Sequence, residues 1–205
     1  VIRAFCEPNR DAIVITDPTY GMYAVCAGVN AVDVRKVKLD PDFDIDAEMV
    51  LETADKDTKV IFLCSPNNPT GNLLGRESVL TIIKSFHGLV VVDEAYIDFT
   101  TSDSFLAFLD RCPNLLILQT FSKAWGLAGL RVGMCFGHPE IIAVLNKIKY
   151  PYNINIQTQQ LALQALAMEQ TKDEWVAAIL DQRGHLVASL ERLSATISSS
   201  SRKLW

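Results

Sequence analysis

The chain has 205 residues and a net charge of −5, with 49% hydrophobic and 21% charged residues, the profile of an ordinary soluble globular protein. There is no basic stripe, so nucleic acid is not an expected partner. The apolar runs are far too short to span a bilayer, and no secretory leader is recognisable at the start.

In the first 150 residues, short apolar runs alternate with longer helical patterns, which predicts an α/β fold with a mainly parallel sheet. The predicted strands are Ala12–Thr16, Ala31–Val37, Lys59–Cys64, Leu89–Asp93, Leu115–Thr120 and Arg131–Phe136. Helices or helical turns are expected at Tyr20–Gly28, Ile45–Ala54, Glu77–His87 and Ser102–Asp110. Because runs such as VIFLC and LVVVD are apolar throughout, helices should cover both faces of the sheet.

After Phe136 the pattern becomes helical, with helices expected at Pro139–Tyr150, Asn155–Gln170 and Lys172–Ser194. The phrase Tyr150–Asn153 separates two of these helices and is read as a hinge. We therefore predict a large domain over 1–150 and a helical connection into a small domain over 151–205. The serine run at 198–201 is expected to be a disordered tail, since it buries nothing.

The five cysteines form no CxxC pair and do not cluster with the histidines: Cys6, Cys26, Cys64, Cys112 and Cys135. Neither a metal site nor a disulfide framework is expected in such a chain. Several of them lie in apolar runs, which indicates small buried hydrophobic side chains in a reducing compartment.

Four polar clusters follow predicted strands, where ligands gather in open α/β sheets. They are Thr16–Tyr20, the turn SPNNPTG at 65–71, Asp93–Tyr96, and Thr120–Lys123. Turns are rich in such residues in any protein. Four clusters with different functional groups are harder to assign to turn chemistry alone, so they predict a site at this edge of the sheet.

Asp93 and Lys123 have two interpretations each. Asp93 ends an apolar run and could cap the next helix, or could face a pyridinium nitrogen and keep it protonated. Lys123 could be a solvated surface charge, or a lysine that attacks an aldehyde to form a Schiff base.

The remaining candidates are weighed in the same way. Arg131 could make a surface ion pair, or could bind a phosphate with help from the Ser122 and Thr120 hydroxyls. Asn68 sits in a rigid turn that could aim its amide at a ligand oxygen. Tyr20 could be a core aromatic or could present its ring to a planar cofactor, whereas for Tyr23 packing is the preferred interpretation.

The ordered set SPNNPTG, DEAY and FSKAWGLAGLR resembles the class I/II aminotransferases of pyridoxal-phosphate fold type I. With PTYGMY and DEAYIDF added, the set is most similar to the histidinol-phosphate aminotransferases. The resemblance extends to about Leu193. It implies the cofactor pyridoxal 5′-phosphate and the conversion of histidinol phosphate and 2-oxoglutarate to imidazole acetol phosphate and glutamate, in histidine biosynthesis.

The resemblance also implies a role for each matching residue. Lys123 would bond to the cofactor and act as general base, and Asp93 would pair with its ring nitrogen. The other implied contacts are stacking by Tyr20, hydrogen bonds to the phenolic oxygen from Asn68 and Tyr96, and phosphate binding by Ser122, Arg131 and Thr120.

Members of this family are longer than this chain and act as homodimers. Neither end of the sequence looks complete, so a fragment is expected, holding most cofactor contacts but few substrate contacts. Alternatives are a threonine-phosphate decarboxylase, an aromatic aminotransferase, or a truncated form that binds cofactor without turnover. The expected location is the cytoplasm, or an organelle stroma or matrix if a transit peptide lies upstream.

Overall fold

The computed structural model of the chain describes residues 1–192. The serine run predicted to be a disordered tail, and the last two residues of the predicted final helix, lie outside the described residues. In the described part, no helix combines the length and the apolar character that crossing a membrane would need.

A six-stranded sheet forms the centre of the molecule, in the order β2-β1-β3-β4-β5-β6. Its strands are β1 Ala12–Asp17, β2 Asp33–Lys38, β3 Thr58–Cys64, β4 Leu89–Asp93, β5 Leu115–Thr120 and β6 Gly133–Gly137. Strands β1 to β5 pair in parallel, and β6 joins β5 antiparallel at the edge. The predicted α/β fold with a mainly parallel sheet is therefore confirmed.

Within residues 1–192, seven α-helices surround or follow the sheet: α1 Ile2–Phe5, α2 Met22–Val29, α3 Ala47–Thr53, α4 Arg76–Ser85, α5 Pro139–Ile148, α6 Ile156–Leu166 and α7 Glu169–Arg192. Shorter 3-10 turns occupy Ile97–Phe99, Phe105–Phe108 and Ala128–Leu130.

Alternate residues of the buried strands point to opposite faces of the sheet, as the period of a β-strand requires. On one face Ile61 and Leu63 pack with the buried sides of α3 and α4. On the other face Val60 and Phe62 pack with side chains of α2 and, more peripherally, α5. Both faces of β3 and β4 are thus covered, which is why these strands read as continuous apolar runs.

The helix or helical turn expected within Ser102–Asp110 is the 3-10 turn Phe105–Phe108, next to which the Glu94 carboxylate accepts hydrogen bonds from Ser104 and Phe105. Two local expectations differ from the structure. Arg131 does not belong to a strand, since its left-handed backbone (φ 55°) ends the turn before β6. The predicted helix Asn155–Gln170 is divided, with α6 ending at Leu166 and α7 beginning at Glu169.

Candidate active site

A cavity of about 400 Å³ opens at the carboxyl ends of β1, β3, β4 and β5. It lies beside the point between β1 and β3 where the strand order reverses, the usual place for a ligand in such a sheet. All the residues predicted for the site line this cavity: Tyr20, Asn68, Asp93, Tyr96, Thr120, Ser122, Lys123 and Arg131. The structure therefore brings together side chains that are up to 111 residues apart in the sequence, from Tyr20 to Arg131 (131 − 20).

Asp93 ends β4 with its carboxylate at the cavity wall. One carboxylate oxygen, Oδ1, accepts the backbone N–H of Ala95 at 3.0 Å, and the other, Oδ2, accepts the Tyr23 hydroxyl at 2.6 Å. Burial raises the pKa of Asp93 above its usual value, against the opposing effects of these two hydrogen bonds and of the Lys123 charge. A carboxylate in this setting favours a cationic partner, and it does not cap an α-helix.

Lys123 lies in a tight turn directly after β5. Gly126 adopts a left-handed backbone (φ 63°) there and donates its N–H to the Lys123 carbonyl at 2.9 Å. The buried ring of Phe121 anchors the start of the turn. Lys123 is an exposed residue, and its Nζ atom lies 4.9 Å from the centroid of the Tyr96 ring. The turn thus presents a primary amine at the cavity within the electrostatic reach of Asp93.

The end of β5 supplies hydroxyl groups to the same cavity, and the turn before β6 supplies a guanidinium group. Thr120 Oγ1 donates to Ser122 Oγ at 3.0 Å and accepts the backbone N–H of Ser122, also at 3.0 Å. The Arg131 guanidinium donates to the Ala128 carbonyl at 2.7 Å, which folds the side chain back over its own turn. This combination of donors suits a phosphate group. Among residues 1–192, no group of three histidine, cysteine, aspartate or glutamate side chains could hold a metal ion.

The SPNNPTG turn is held by Asn67, a residue that sequence reasoning missed. Its fully buried amide donates to the Pro18 carbonyl at 3.0 Å and to Thr70 Oγ1 at 2.8 Å, and accepts the Thr19 hydroxyl at 2.9 Å. These bonds join the turn after β1 to the turn after β3. Tyr20 and Asn68, one in each turn, are thereby placed at the cavity together.

Glu94 is a second residue that sequence reasoning missed. Its carboxylate is buried and accepts hydrogen bonds from Ser104 Oγ at 2.6 Å, Phe105 N at 2.7 Å and Gln119 Nε2 at 2.9 Å. Gln119 lines the cavity, so Glu94 connects the cavity wall to the segment behind it. The only local signal was the second acidic residue directly after Asp93.

The known proteins whose sequences are similar to this chain are aminotransferases. The aminotransferase class I and II family matches residues 1–203. The chain is 60% identical over 186 residues to the histidinol-phosphate aminotransferase of Parabacteroides distasonis, covering 91% of this chain and 54% of that protein. It is 53% identical over 193 residues to the enzyme of that name from Cytophaga hutchinsonii, covering 94% and 56%. The chain thus spans about half the length of these relatives.

Solved structures of similar proteins have the same fold as this chain. The histidinol-phosphate aminotransferase of Clostridium acetobutylicum superposes with a TM-score of 0.82 at 26% identity, over 89% of this chain and 56% of that one. The enzyme of that name from Sinorhizobium meliloti, solved in complex with pyridoxal-5′-phosphate, superposes with a TM-score of 0.82 at 26% identity, over 90% and 51%. With the ordered motifs, the sheet and the cavity, these matches show that the chain belongs to the class I and II aminotransferase family, with the fold of its pyridoxal-phosphate enzymes.

Proposed function

We propose that this chain is the cofactor-binding part of a histidinol-phosphate aminotransferase that uses pyridoxal 5′-phosphate. The observation that supports this most directly is the composition of the cavity, where an amine, a buried carboxylate and a guanidinium with hydroxyls line one space. The high identity to enzymes of that name supports the choice of substrate. Because the chain spans about half of those proteins, the activity of the whole protein belongs to the proposal.

The residues of the cavity fit the cofactor in both charge and position. When bound, pyridoxal phosphate supplies an aldehyde that couples to amines and a ring that accepts the electrons released at the substrate's Cα. Arg131, Ser122 and Thr120 would hold its phosphate. The burial of the Asp93 carboxylate at the cavity wall is the structural observation behind this fit, because a desolvated anion there gains from pairing with a protonated ring nitrogen.

The side chains around the ring would orient it. Tyr20 would present its ring face to the cofactor, and its own ring is fixed by an edge contact with Tyr23 at 5.5 Å between centroids. Asn68 and Tyr96 would donate hydrogen bonds to the phenolic oxygen. The anchoring of the Asn68 turn by Asn67 means that this donor does not have to be ordered when the ligand binds.

Lys123 would have two successive tasks. Its Nζ amine would hold the cofactor by its aldehyde, and as a free amine it would be the general base that takes the proton from the substrate's Cα. Asp93 would pair with the protonated ring nitrogen, so that the ring can accept the electrons released at the substrate's Cα.

The proposed reaction transfers the amino group of histidinol phosphate to 2-oxoglutarate, giving imidazole acetol phosphate and glutamate. A homodimer and a cytoplasmic location are parts of the same proposal, as is the division into a cofactor domain over 1–150 and a second domain that begins at 151. The exposed apolar side chains of α6, such as Leu163 at 68% exposure, support a further covering element on that side.

The proposal is tested by attaching the cofactor to the chain through a stable covalent bond and locating the modified residue. The purified chain is mixed with pyridoxal phosphate and reduced with borohydride, and the modified peptide is mapped by mass spectrometry. We expect one dominant adduct on Lys123, which disappears when histidinol phosphate is added before reduction and persists when an equal concentration of alanine is added. The Lys123→Arg variant, which keeps the charge, is the matched control and should lose the adduct. Scattered labelling of surface lysines in the unmodified chain would contradict the proposal.

A further inference from the structure

Tyr23 is a buried tyrosine of α2 whose hydroxyl donates a hydrogen bond to the carboxylate of Asp93. The Tyr23 side chain is 6% exposed, and its hydroxyl donates to Asp93 Oδ2 at 2.6 Å across 70 residues of sequence. This short distance is typical of a hydrogen bond from a hydroxyl to a charged oxygen. The packing role expected for Tyr23 is present, but the residue also has a polar contact with the site.

The ring of Tyr23 has little freedom to move. It stacks on Phe62 with 4.9 Å between centroids and an angle of 19° between the rings, and Tyr20 contacts it edge-on at 5.5 Å. Because the ring is fixed, the hydroxyl is fixed as well. The plane of the Asp93 carboxylate is then set at both ends, by Tyr23 on Oδ2 and by the Ala95 backbone N–H on Oδ1.

Two other titratable groups are in electrostatic contact with Asp93: Lys123 after β5, whose charge lowers the pKa of Asp93, and Cys64 on β3, whose pKa the Asp93 charge raises. Burial raises the pKa of Cys64 to about 12, so at neutral pH this thiol stays uncharged. Burial likewise raises the pKa of the Tyr23 hydroxyl well above its ordinary value. Tyr23 therefore remains a proton donor at neutral pH, and a donor to a carboxylate favours the charged form of that carboxylate.

We infer that Tyr23 is a positioning residue for Asp93, which orients the carboxylate toward the cavity and keeps it anionic so that it can pair with a cationic ring nitrogen. This inference rests on the proposed function for the pairing, but the effect on Asp93 is a property of the cofactor-free chain. Tyr23 contacts Asp93 and not the reacting atoms, so it acts through Asp93. The predicted consequence of losing its hydroxyl is a carboxylate that is both less fixed and more easily protonated.

The first test is made without cofactor. The chain is labelled with ¹³C-aspartate, the Asp93 carboxyl signal is assigned by its loss in Asp93→Asn, and its midpoint is followed against pH. In Tyr23→Phe, which keeps the stacked ring, we expect the Asp93 midpoint to rise by about one pH unit. The matched control Tyr20→Phe removes a hydroxyl three residues away that makes no hydrogen bond to Asp93 in the described structure, and should leave the midpoint in place. An unchanged midpoint in Tyr23→Phe would overturn the inference.

A second variant covers the case in which Tyr23→Phe does not fold. Site-specific 3-fluorotyrosine at position 23 has a more acidic hydroxyl and is a stronger donor, so the Asp93 midpoint should shift downward. A positioning role requires shifts of opposite sign in the two variants, whereas loss of packing alone would not lower the midpoint. A midpoint that does not fall with the fluorinated residue counts against the inference.

The cofactor provides the last measurement and separates the two proposals. We expect Tyr23→Phe to weaken pyridoxal phosphate binding about tenfold, with labelling still directed to Lys123. If the unmodified chain takes no label on Lys123, the proposed function fails, and the carboxyl titration still decides whether Tyr23 holds Asp93. If the unmodified chain is labelled on Lys123 and Tyr23→Phe binds the cofactor equally well, the role of Tyr23 is refuted while the proposed function stands.

Discussion

Asp93 is the residue at which stability and function conflict. Burial disfavours its charged form, and the hydrogen bonds from Tyr23 and Ala95 offset this only in part, so its pKa is raised in the folded chain. The folded state therefore binds the proton of Asp93 more tightly than the unfolded state does. Above the raised pKa the ionised carboxylate lowers the stability of the cofactor-free chain, and below its ordinary value of 3.8 this effect is absent.

The Asp93→Asn variant makes this conflict measurable. The amide can still accept from Ala95 and donate to the Tyr23 oxygen, but it has no charge to desolvate. We expect the cofactor-free variant to be more stable than the parent chain in urea unfolding at pH 7, with the difference vanishing as the pH falls below 3.8. Its affinity for pyridoxal phosphate should fall about tenfold or more. A variant that is less stable at pH 7, or that binds the cofactor as well as the parent, contradicts this account of Asp93.

At the scale of elements, the N-terminal end of α7 is tied to two segments that carry site residues. The Lys172 Nζ atom lies 3.0 Å from Asp98 Oδ1, two residues after Tyr96, and 5.2 Å from the centroid of the Trp125 ring, two residues after Lys123. Although burial lowers the pKa of Lys172, its bonds to Asp173 and Asp98 raise it above its ordinary value. The Lys172 side chain therefore connects α7 both to the 3-10 turn Ile97–Phe99, through Asp98, and to the turn after β5 that carries Lys123, through Trp125.

Replacement of Lys172 by methionine should loosen this connection without damaging the sheet. The side chain is 12% exposed and methionine fills a similar volume, so the loss is mainly that of the ion pairs with Asp98 and Asp173 and of the contact with the Trp125 ring, about 1 kcal/mol. We expect faster amide hydrogen exchange in the first turns of α7 and in the turn Ile97–Phe99, with the exchange of β3 and β4 unchanged. The exposed Lys147→Met is the control and should change none of these rates. Equal exchange in Lys172→Met and the parent would show that the contact does not hold the helix.

For the whole molecule, the structure shows a strong difference in burial between its two parts. The sheet region contains nearly all of the buried apolar side chains, while in residues 151–192 Val176 is buried and many apolar side chains are exposed. The exposed set includes Tyr152, Ile156, Leu161, Leu163, Leu166 and Trp175. The division at residue 150 remains a prediction, and this difference in burial is what supports it.

Limited proteolysis tests the predicted division of the chain into two domains at residue 150. Tyr152 is 96% exposed and its backbone is left-handed (φ 58°), so the segment at 149–154 should reach a protease without unfolding of the sheet. With chymotrypsin at low concentration we expect the first cuts at or after Tyr152, leaving a resistant N-terminal fragment. In Tyr152→Ser the earliest cuts should move into α6 or α7. First cuts inside β1 to β6 would mean that the sheet is not the stable unit.

Much of this molecule could be predicted from local sequence patterns. Strands β1, β3, β4 and β5, and most residues of the cavity, follow from short apolar runs that end in polar clusters, because a buried strand and its carboxyl end are recorded in neighbouring residues. The sequence motifs also identified the family, since they depend on order and residue type rather than on contacts. These features are local, so no knowledge of the folded chain was needed.

Contacts between distant segments were decided only by the tertiary structure. The hydrogen bond from Tyr23 to Asp93 joins residues 70 apart, and that from Asn67 to Pro18 joins residues 49 apart, and neither spacing leaves a periodic signal. The same is true of Glu94, which meets Gln119 through the pairing of β4 with β5 and meets Ser104 through the path of the segment between these strands. A buried polar group must find its partner wherever the fold places one, so local sequence determined which side chains reach the site, and the packing of the sheet determined which other side chains hold them there.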